Sequence, residues 1–177
     1  MADILATAGS NSSTSINLQL VRYTASLITG HPVEVKDLAR EAFPMYSEDL
    51  ERTSGFPAGI EALHKRLGRA DGLILSVNEH NSNPSAFTKN MLDWLSRIDR
   101  AFLKGLPVLL LSTSGGKRGG QSSREVIAGM LPRFGADLAA EFSLPSFYET
   151  FDAESGILDP GLREAHQKAL EVFLRAL

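Results

Sequence analysis

Three polar stretches hold the residue types best suited to chemistry. The first, Gly9-Ser10-Asn11-Ser12-Ser13-Thr14-Ser15-Ile16-Asn17, gathers hydroxyls where a helical pattern begins. Backbone N–H groups at a helix N-terminus attract an anion, and Ser10, Ser12 and Ser15 add hydroxyl donors, so this loop could hold a phosphate. The same serines also read as a generous supply of helix N-caps, and on the loop alone the two readings are even. It is neither a Walker loop, which needs Gly-Lys-Ser/Thr, nor a Gly-x-Gly-x-x-Gly fingerprint. The second stretch, Asn78-Glu79-His80-Asn81-Ser82-Asn83, offers amides, a carboxylate and an imidazole. The third, Ser112-Thr113-Ser114-Gly115-Gly116-Lys117-Arg118-Gly119-Gly120, has glycines that let a backbone approach a flat ring, and reads equally as a flexible loop before a helix.

Other chemistries are excluded or unsupported. The chain has no cysteine, so disulfides, thiolate metal sites and thiol nucleophiles are ruled out. The four histidines, His31, His64, His80 and His166, lie in separate segments, and no metal is expected. A Gly-x-Ser-x-Gly elbow is lacking, which argues against a serine hydrolase. The formal charge of −3 offers no basic stripe for nucleic acid. It is also mild for an electron shuttle that docks on basic partners.

The elements that must position these loops are buried strands. Apolar runs at residues 3–8, 33–38, 72–77, 107–111 and 137–142 read as five strands, the second alternating with charges as an edge strand does. Helical spacing follows through Leu20, Val21, Thr24, Leu27 and Ile28, closed by Gly30-His31-Pro32. It resumes over 57–70 through Ile60, Leu63 and Leu67, and over 85–98 through Phe87, Met91, Leu95 and Ile98. A fourth helix is expected at 122–134 through Val126, Ile127, Met130 and Leu131, kinked or shortened at Pro132. The last, 161–177, should bury Leu162, Ala165, Ala169, Val172 and Phe173 on one stripe. Residues 39–57 read as irregular.

Apolar strands alternating with amphipathic helices imply a mostly parallel sheet covered on both faces. A doubly wound sheet of this size is most often ordered 2-1-3-4-5, with its ligand beyond the carboxyl ends of the strands. The three polar loops follow the first, third and fourth strands, which are neighbours in that order, so they should converge on one crevice. With 177 residues, 43% hydrophobic and 22% charged, residues 1–177 are expected to form one soluble domain. No apolar run approaches the roughly 20 residues of a membrane span. Met1-Ala2-Asp3 runs straight into a strand, so no secretory leader is expected, and the cytoplasm is the expected location.

The three loops resemble the motifs of the NADPH-dependent FMN reductase family, whose members share the flavodoxin-like fold. Gly9, Ser10, Ser15 and Asn17 match a family pattern Gly-Ser-x-Arg-x-x-Ser-x-Asn, with Ser12 at the arginine position. Glu79, His80, Asn81, Lys89, Asn90, Asp93 and Trp94 match Pro-Glu-Tyr/His-Asn-Gly-Ser followed by Lys-Asn-x-x-Asp-Trp, with Ser82 replacing the glycine. The third loop is similar to the family's Ser-x-Ser-x-Gly-x-x-Gly-Gly, and Pro44–Glu51 to its Pro-Leu-Tyr/Phe-x-x-Asp-Leu-Glu.

The resemblance implies a flavodoxin-like three-layer sandwich that binds FMN. The phosphate would lie at Ser10, Ser12, Ser15, Ile16 and Asn17, and the ring along Asn78, Glu79, His80 and Asn81 and against Ser114, Gly115 and Gly116. NADPH or NADH would be the electron donor, and flavin, quinone or a similar small molecule the acceptor. The cofactor carries the hard chemistry, so no catalytic side chain is named. Lys117 and Arg118 would meet the extra phosphate of NADPH, and a homodimer or homotetramer is implied. Tyr46 lies near the flavin and the dimer interface in relatives, and reads equally as a core-capping aromatic. Lys89 and Asp93 can pair across a helical turn and Trp94 can pack, so Lys89, Asn90, Asp93 and Trp94 stay outside the site. The alternative is an FMN-binding electron-transfer or regulatory module without nicotinamide-dependent turnover.

Overall fold

Each of the five apolar runs forms a strand of one parallel sheet in a computed structural model of the chain, which describes residues 1–41 and 43–177. The first half of the chain comprises β1 (Ile4–Gly9), α1 (Ile16–Ser26), β2 (Val33–Lys36), α2 (Glu48–Ser54), α3 (Ala58–Leu67) and β3 (Gly72–Val77). A small hairpin follows, β4 (Glu79–His80) and β5 (Asn83–Pro84), then α4 (Ala86–Ile98) and β6 (Pro107–Thr113). The remainder is α5 (Gln121–Met130), β7 (Asp137–Leu144), α6 (Phe147–Thr150), a second hairpin of β8 (Phe151–Asp152) and β9 (Gly156–Ile157), and α7 (Pro160–Ala176).

The sheet order is β2-β1-β3-β6-β7, which among the five sheet strands is 2-1-3-4-5, as the sequence led us to expect. Side-chain alternation along each strand feeds two cores. Leu5, Leu73, Leu75, Val108 and Leu110 face α3, α4 and α5, while Ile4, Ala6, Ile74, Leu109 and Leu111 face α1 and α7. That alternation makes the three-layer, flavodoxin-like sandwich. Full burial of each such aliphatic side chain contributes about 1.5–3 kcal/mol before the cost of ordering the chain.

Several boundaries differ from expectation for local reasons. The stretch read as irregular contains α2, a helix without a buried face; Ser47 caps it, accepting from Leu50 N–H, and Glu48, Asp49 and Glu51 favour its N-terminus. Ala42, in the same stretch, lies outside the described residues. Helix α1 stops at Ser26, leaving Leu27 largely exposed. After α5 the chain tightens into a 3-10 turn over Leu131–Phe134, where Pro132 removes a helical donor, and Val126 faces outward. Strand β2 ends at Lys36, and β6 and β7 run two residues past their expected ends, to Thr113 and Leu144. The expected stripe of α7 needs correction, since Ala165 and Val172 are exposed and the buried row is His166, Ala169, Leu170 and Phe173.

Candidate functional site

The carboxyl ends of β1, β3 and β6 open onto a cleft of about 320 Å³. Ser10, Ser12, Thr14, Ser15, Ile16 and Asn17 line one end. Asn78, Glu79 and His80 form one wall, and Thr113, Ser114, Gly115 and Tyr148 the other. Ten of the twelve residues placed at the site by sequence therefore line a single cleft, while Asn81 and Gly116 fall outside its lining. Thr14, Thr113 and Tyr148 line it and were missed.

The serine loop is folded by its own hydroxyls. Ser15 is the N-cap of α1, its Oγ accepting from Leu18 N–H at 3.2 Å. Ser10 Oγ accepts from Ser12 N–H at 3.2 Å, and Ser12 Oγ accepts from Thr14 N–H at 3.3 Å. All three hydroxyls thus serve the backbone as acceptors, which leaves the protons of Ser10 and Ser15 to donate outward, while Ser12 Oγ also lies 3.3 Å from Thr14 Oγ1 with either as donor. The first-turn N–H groups of Ile16 and Asn17 have no acceptor within the helix by its geometry, and the helix dipole adds positive potential there. The N-cap and the outward-facing donors belong to one arrangement. Among the described residues of the lining there is no lysine or arginine.

Asn17 has a different role from its neighbours. It is 3% exposed, and its Oδ1 accepts from Thr113 N–H at 3.1 Å and from Ser76 Oγ–H at 2.7 Å. Its Nδ2 donates to the Thr113 carbonyl at 3.1 Å. The side chain therefore pairs with the Thr113 backbone as a strand would, and fastens α1 to β3 and β6. It is a positioning residue for the loops on either side.

Glu79 also proves to be a fastening. Its Oε2 accepts from Ser123 N–H at 3.1 Å in the first turn of α5, where a carboxylate is favoured, and Ser123 Oγ donates to the Asn78 carbonyl at 2.9 Å. Thr88 Oγ1 donates to the Gly9 carbonyl at 2.5 Å, which ties α4 to the end of β1. His80 is exposed, with Nε2 3.4 Å from Asn78 Nδ2. Asn81 and Ser82 join β4 to β5 with φ of +52° and +60°, the left-handed pair of a type I′ turn. Ser82 takes the conformation in which the family pattern has glycine, so the hairpin forms despite the substitution.

The glycine-rich wall is held from below. Gly119 has φ +58°, and a Cβ there would lie 2.6 Å from the Leu144 carbonyl, so this glycine lets the loop dock on the end of β7. Ser146 N–H donates to the Gly116 carbonyl at 2.9 Å, and Phe147 N–H to that of Ser114 at 3.0 Å.

The residues left outside the site are structural. Lys89 pairs with Asp93 at 2.5 Å on the surface of α4. Asn90 accepts from Tyr46 N–H at 2.8 Å and donates to the Pro44 carbonyl at 3.0 Å. The fully buried Trp94 donates to the same carbonyl at 2.8 Å. Tyr46 packs edge-on against Trp94 with ring centroids 5.0 Å apart, and its hydroxyl donates to Glu51 at 3.0 Å. Tyr46 caps a core, and it does not line the cleft.

A doubly wound sheet with a hydroxyl-rich loop and a glycine-edged wall at the carboxyl ends of its strands is the arrangement of a nucleotide- or flavin-binding class of protein. The chain matches the family described as NADPH-dependent FMN reductase over residues 2–149. It belongs to that family. It is 37% identical to a quinone reductase of Escherichia coli K12 over 102 residues, which are 57% of this chain and 54% of that protein. The match thus spans about half the length of that relative. It is 30% identical to an NADPH:quinone oxidoreductase of Arabidopsis thaliana, covering 94% of this chain and 87% of the other. In fold it is similar to a flavoenzyme NAD(P)H:(acceptor) oxidoreductase of Paracoccus denitrificans, with TM-score 0.78, 23% identity, and 99% and 96% of the two chains covered.

Proposed function

We propose that the chain is an oxidoreductase that takes electrons from NADPH or NADH and passes them by way of FMN to a small planar acceptor, a quinone or a flavin. The observation that carries this is the convergence, in one cleft, of an uncharged phosphate cradle and a flat wall edged by Gly115. The names of the Escherichia coli and Arabidopsis relatives support quinone as the acceptor class.

The donor set fits FMN. Ser10, Ser12 and Ser15 would give their hydroxyl protons to the phosphate, joined by the N–H groups of Ile16 and Asn17. Asn78, Glu79, His80 and Asn81 would run along one side of the ring, with Ser114, Gly115 and Gly116 on the other. When bound, FMN supplies two-electron chemistry, accepting hydride from a nicotinamide and returning reducing equivalents to an acceptor. The chain's own residues position and enclose. Asn17 holds the phosphate loop in register with β6, Glu79 holds the second loop on α5, and Gly115, lacking a Cβ, gives the Tyr148 ring room to lie against the wall. Lys117 and Arg118, exposed on the same glycine-rich loop, would meet the extra phosphate of NADPH.

The remaining parts of the proposal are coarser. Residues 1–177 would act as one domain, as a homodimer or homotetramer in the cytoplasm. Met45, 68% exposed, is apolar surface that such a contact could cover. Among the described residues, no helix is long and apolar enough to cross a membrane.

Riboflavin carries the same ring as FMN without the phosphate, so comparing the two isolates the cradle. FMN is expected to bind on the order of 100-fold more tightly, the equivalent of two charge-assisted hydrogen bonds. The affinity should change little with salt, because hydroxyls and amides, not cations, hold the phosphate. Equal affinity for FMN and riboflavin in a fluorescence titration would sink the assignment.

A further inference from the structure

Among the described residues of the cleft lining, Tyr148 is the one phenyl or indole side chain, and it is 77% exposed. Its neighbours behave differently. Phe147 and Phe151 are buried and stacked on each other with centroids 4.7 Å apart, and Phe147 meets Tyr148 edge-on at 5.7 Å. Two rings thus anchor the segment while the third stands over the cleft.

The backbone beneath Tyr148 is held in a costly shape. Ser146, directly before α6, has φ +46° and ψ +51°, a left-handed conformation that disfavours a residue with a Cβ. Such strain persists only where the surroundings over-determine it, and it gathers at working sites. Here the surroundings are the bonds from Ser146 N–H and Phe147 N–H to the carbonyls of Gly116 and Ser114. The base of Tyr148 is therefore tied to the glycine-rich wall by two backbone hydrogen bonds. The ring also rests on the wall itself, since a Cβ on Gly115 would come within 3.2 Å of Cε2 and 3.4 Å of Cδ2.

We propose that Tyr148 is a specificity-determining residue on which the flat, conjugated ring of a substrate stacks, either a quinoid acceptor or the nicotinamide donor. A tyrosine offers a large face at little conformational cost, and prefers offset or edge contact with another ring. With no lysine or arginine among the described lining residues, selection at this end of the cleft falls to shape and stacking. The inference rests on the reading of the cleft as an FMN site. That reading fails first in the unaltered protein, if it does not bind FMN, before any variant is made.

The test compares FMN-saturated protein with Tyr148→Ala and Tyr148→Phe. Because the side chain is exposed, both should fold, and an unchanged Tm confirms it. Tyr148→Ala is expected to raise the KM for a benzoquinone, or the apparent Kd for NADPH in anaerobic reduction, by roughly five- to tenfold. The FMN dissociation constant should stay within about twofold, kcat should change less than KM, and Tyr148→Phe should restore the original values. A rise confined to the quinone names the acceptor as the stacked ring, and a rise confined to NADPH names the donor. Unchanged constants for both overturn the proposal. So does a loss of FMN affinity that matches the loss for substrate, which would put the flavin itself on Tyr148.

Discussion

Replacing Asn17 by alanine is expected to cost about 3–5 kcal/mol of stability and to weaken FMN binding at least tenfold. The first figure follows from what the truncation strands, namely the N–H and carbonyl of Thr113 and the hydroxyl of Ser76. Each is buried, and an unpaired buried polar group costs about 1–3 kcal/mol. The second figure follows from geometry. Asn17 joins two loops whose contact residues are 96 positions apart in sequence, and without it the cradle and the wall lose their common register. Asn17→Asp sharpens the argument, because it puts a carboxylate oxygen where Nδ2 now faces the Thr113 carbonyl, replacing attraction with repulsion. Denaturant unfolding and FMN titration of the two variants would check this. Stability within about 1 kcal/mol of the original, together with unaltered FMN affinity, would refute the clamp.

The second large effect is loss of stability in acid through His166. This side chain is fully buried on the inner face of α7, and its Nε2 lies 2.9 Å from Thr24 Oγ1. The Thr24 hydroxyl gives its proton to the Leu20 carbonyl at 2.9 Å, so Nε2–H must be the donor to Thr24. That leaves Nδ1 buried without a partner, with the rings of Tyr23 and Phe142 centred 5.5 and 5.2 Å from the imidazole. A proton on Nδ1 would find no acceptor, and burial pushes the pKa down from 6.5 to about 4. The unfolded chain takes up this proton below about pH 6.5, while the folded chain resists until about pH 4. Stability is therefore complete above the first value and declines towards the second, by about 3 kcal/mol in all. His166→Gln keeps a donor for Thr24 and removes the titration, so its stability should fall less over this interval. If unfolding experiments across the interval show parallel curves for the two proteins, His166 does not govern the acid response.

Much of the fold was legible because the signals were local. Runs such as residues 72–77 and 107–111 are apolar at every position or nearly so, and they became β3 and β6. Helix α2 escaped because a seven-residue helix with no buried side chain shows no apolar period, and only Ser47 and the acidic first turn announce it. In α7 the expected stripe passed over His166, which lies on the true buried line. His166 falls on that line because the Thr24 hydroxyl meets its donor nitrogen, a partner 142 residues away.

The convergence of the polar loops on one cleft was legible to a similar depth. Placing the polar loops after the first, third and fourth strands predicted their convergence, and ten of the twelve residues that the resemblance implied line one cleft. What each residue does there was less visible. Asn17 and Glu79 have the types expected of ligands, yet the Asn17 amide is committed to Thr113 and Ser76, and Glu79 Oε2 to Ser123. Tyr148 follows a strand whose end the apolar pattern placed two residues early, and its importance depends on a contact with Gly115, 33 positions before it. At Ser12, the departure from the family arginine, the proposed cradle would rely on hydroxyls and the α1 N-terminus in place of a cation.

The central claim is that this cleft holds FMN for reduction by a nicotinamide nucleotide. The most direct measurement is the visible absorbance of the FMN-loaded protein on anaerobic mixing with NADPH, then with NADH. The account predicts rapid bleaching by at least one of them and return of the oxidised spectrum when a quinone is added. A protein that binds FMN but keeps its colour with both nucleotides would contradict it, leaving a carrier in place of a reductase.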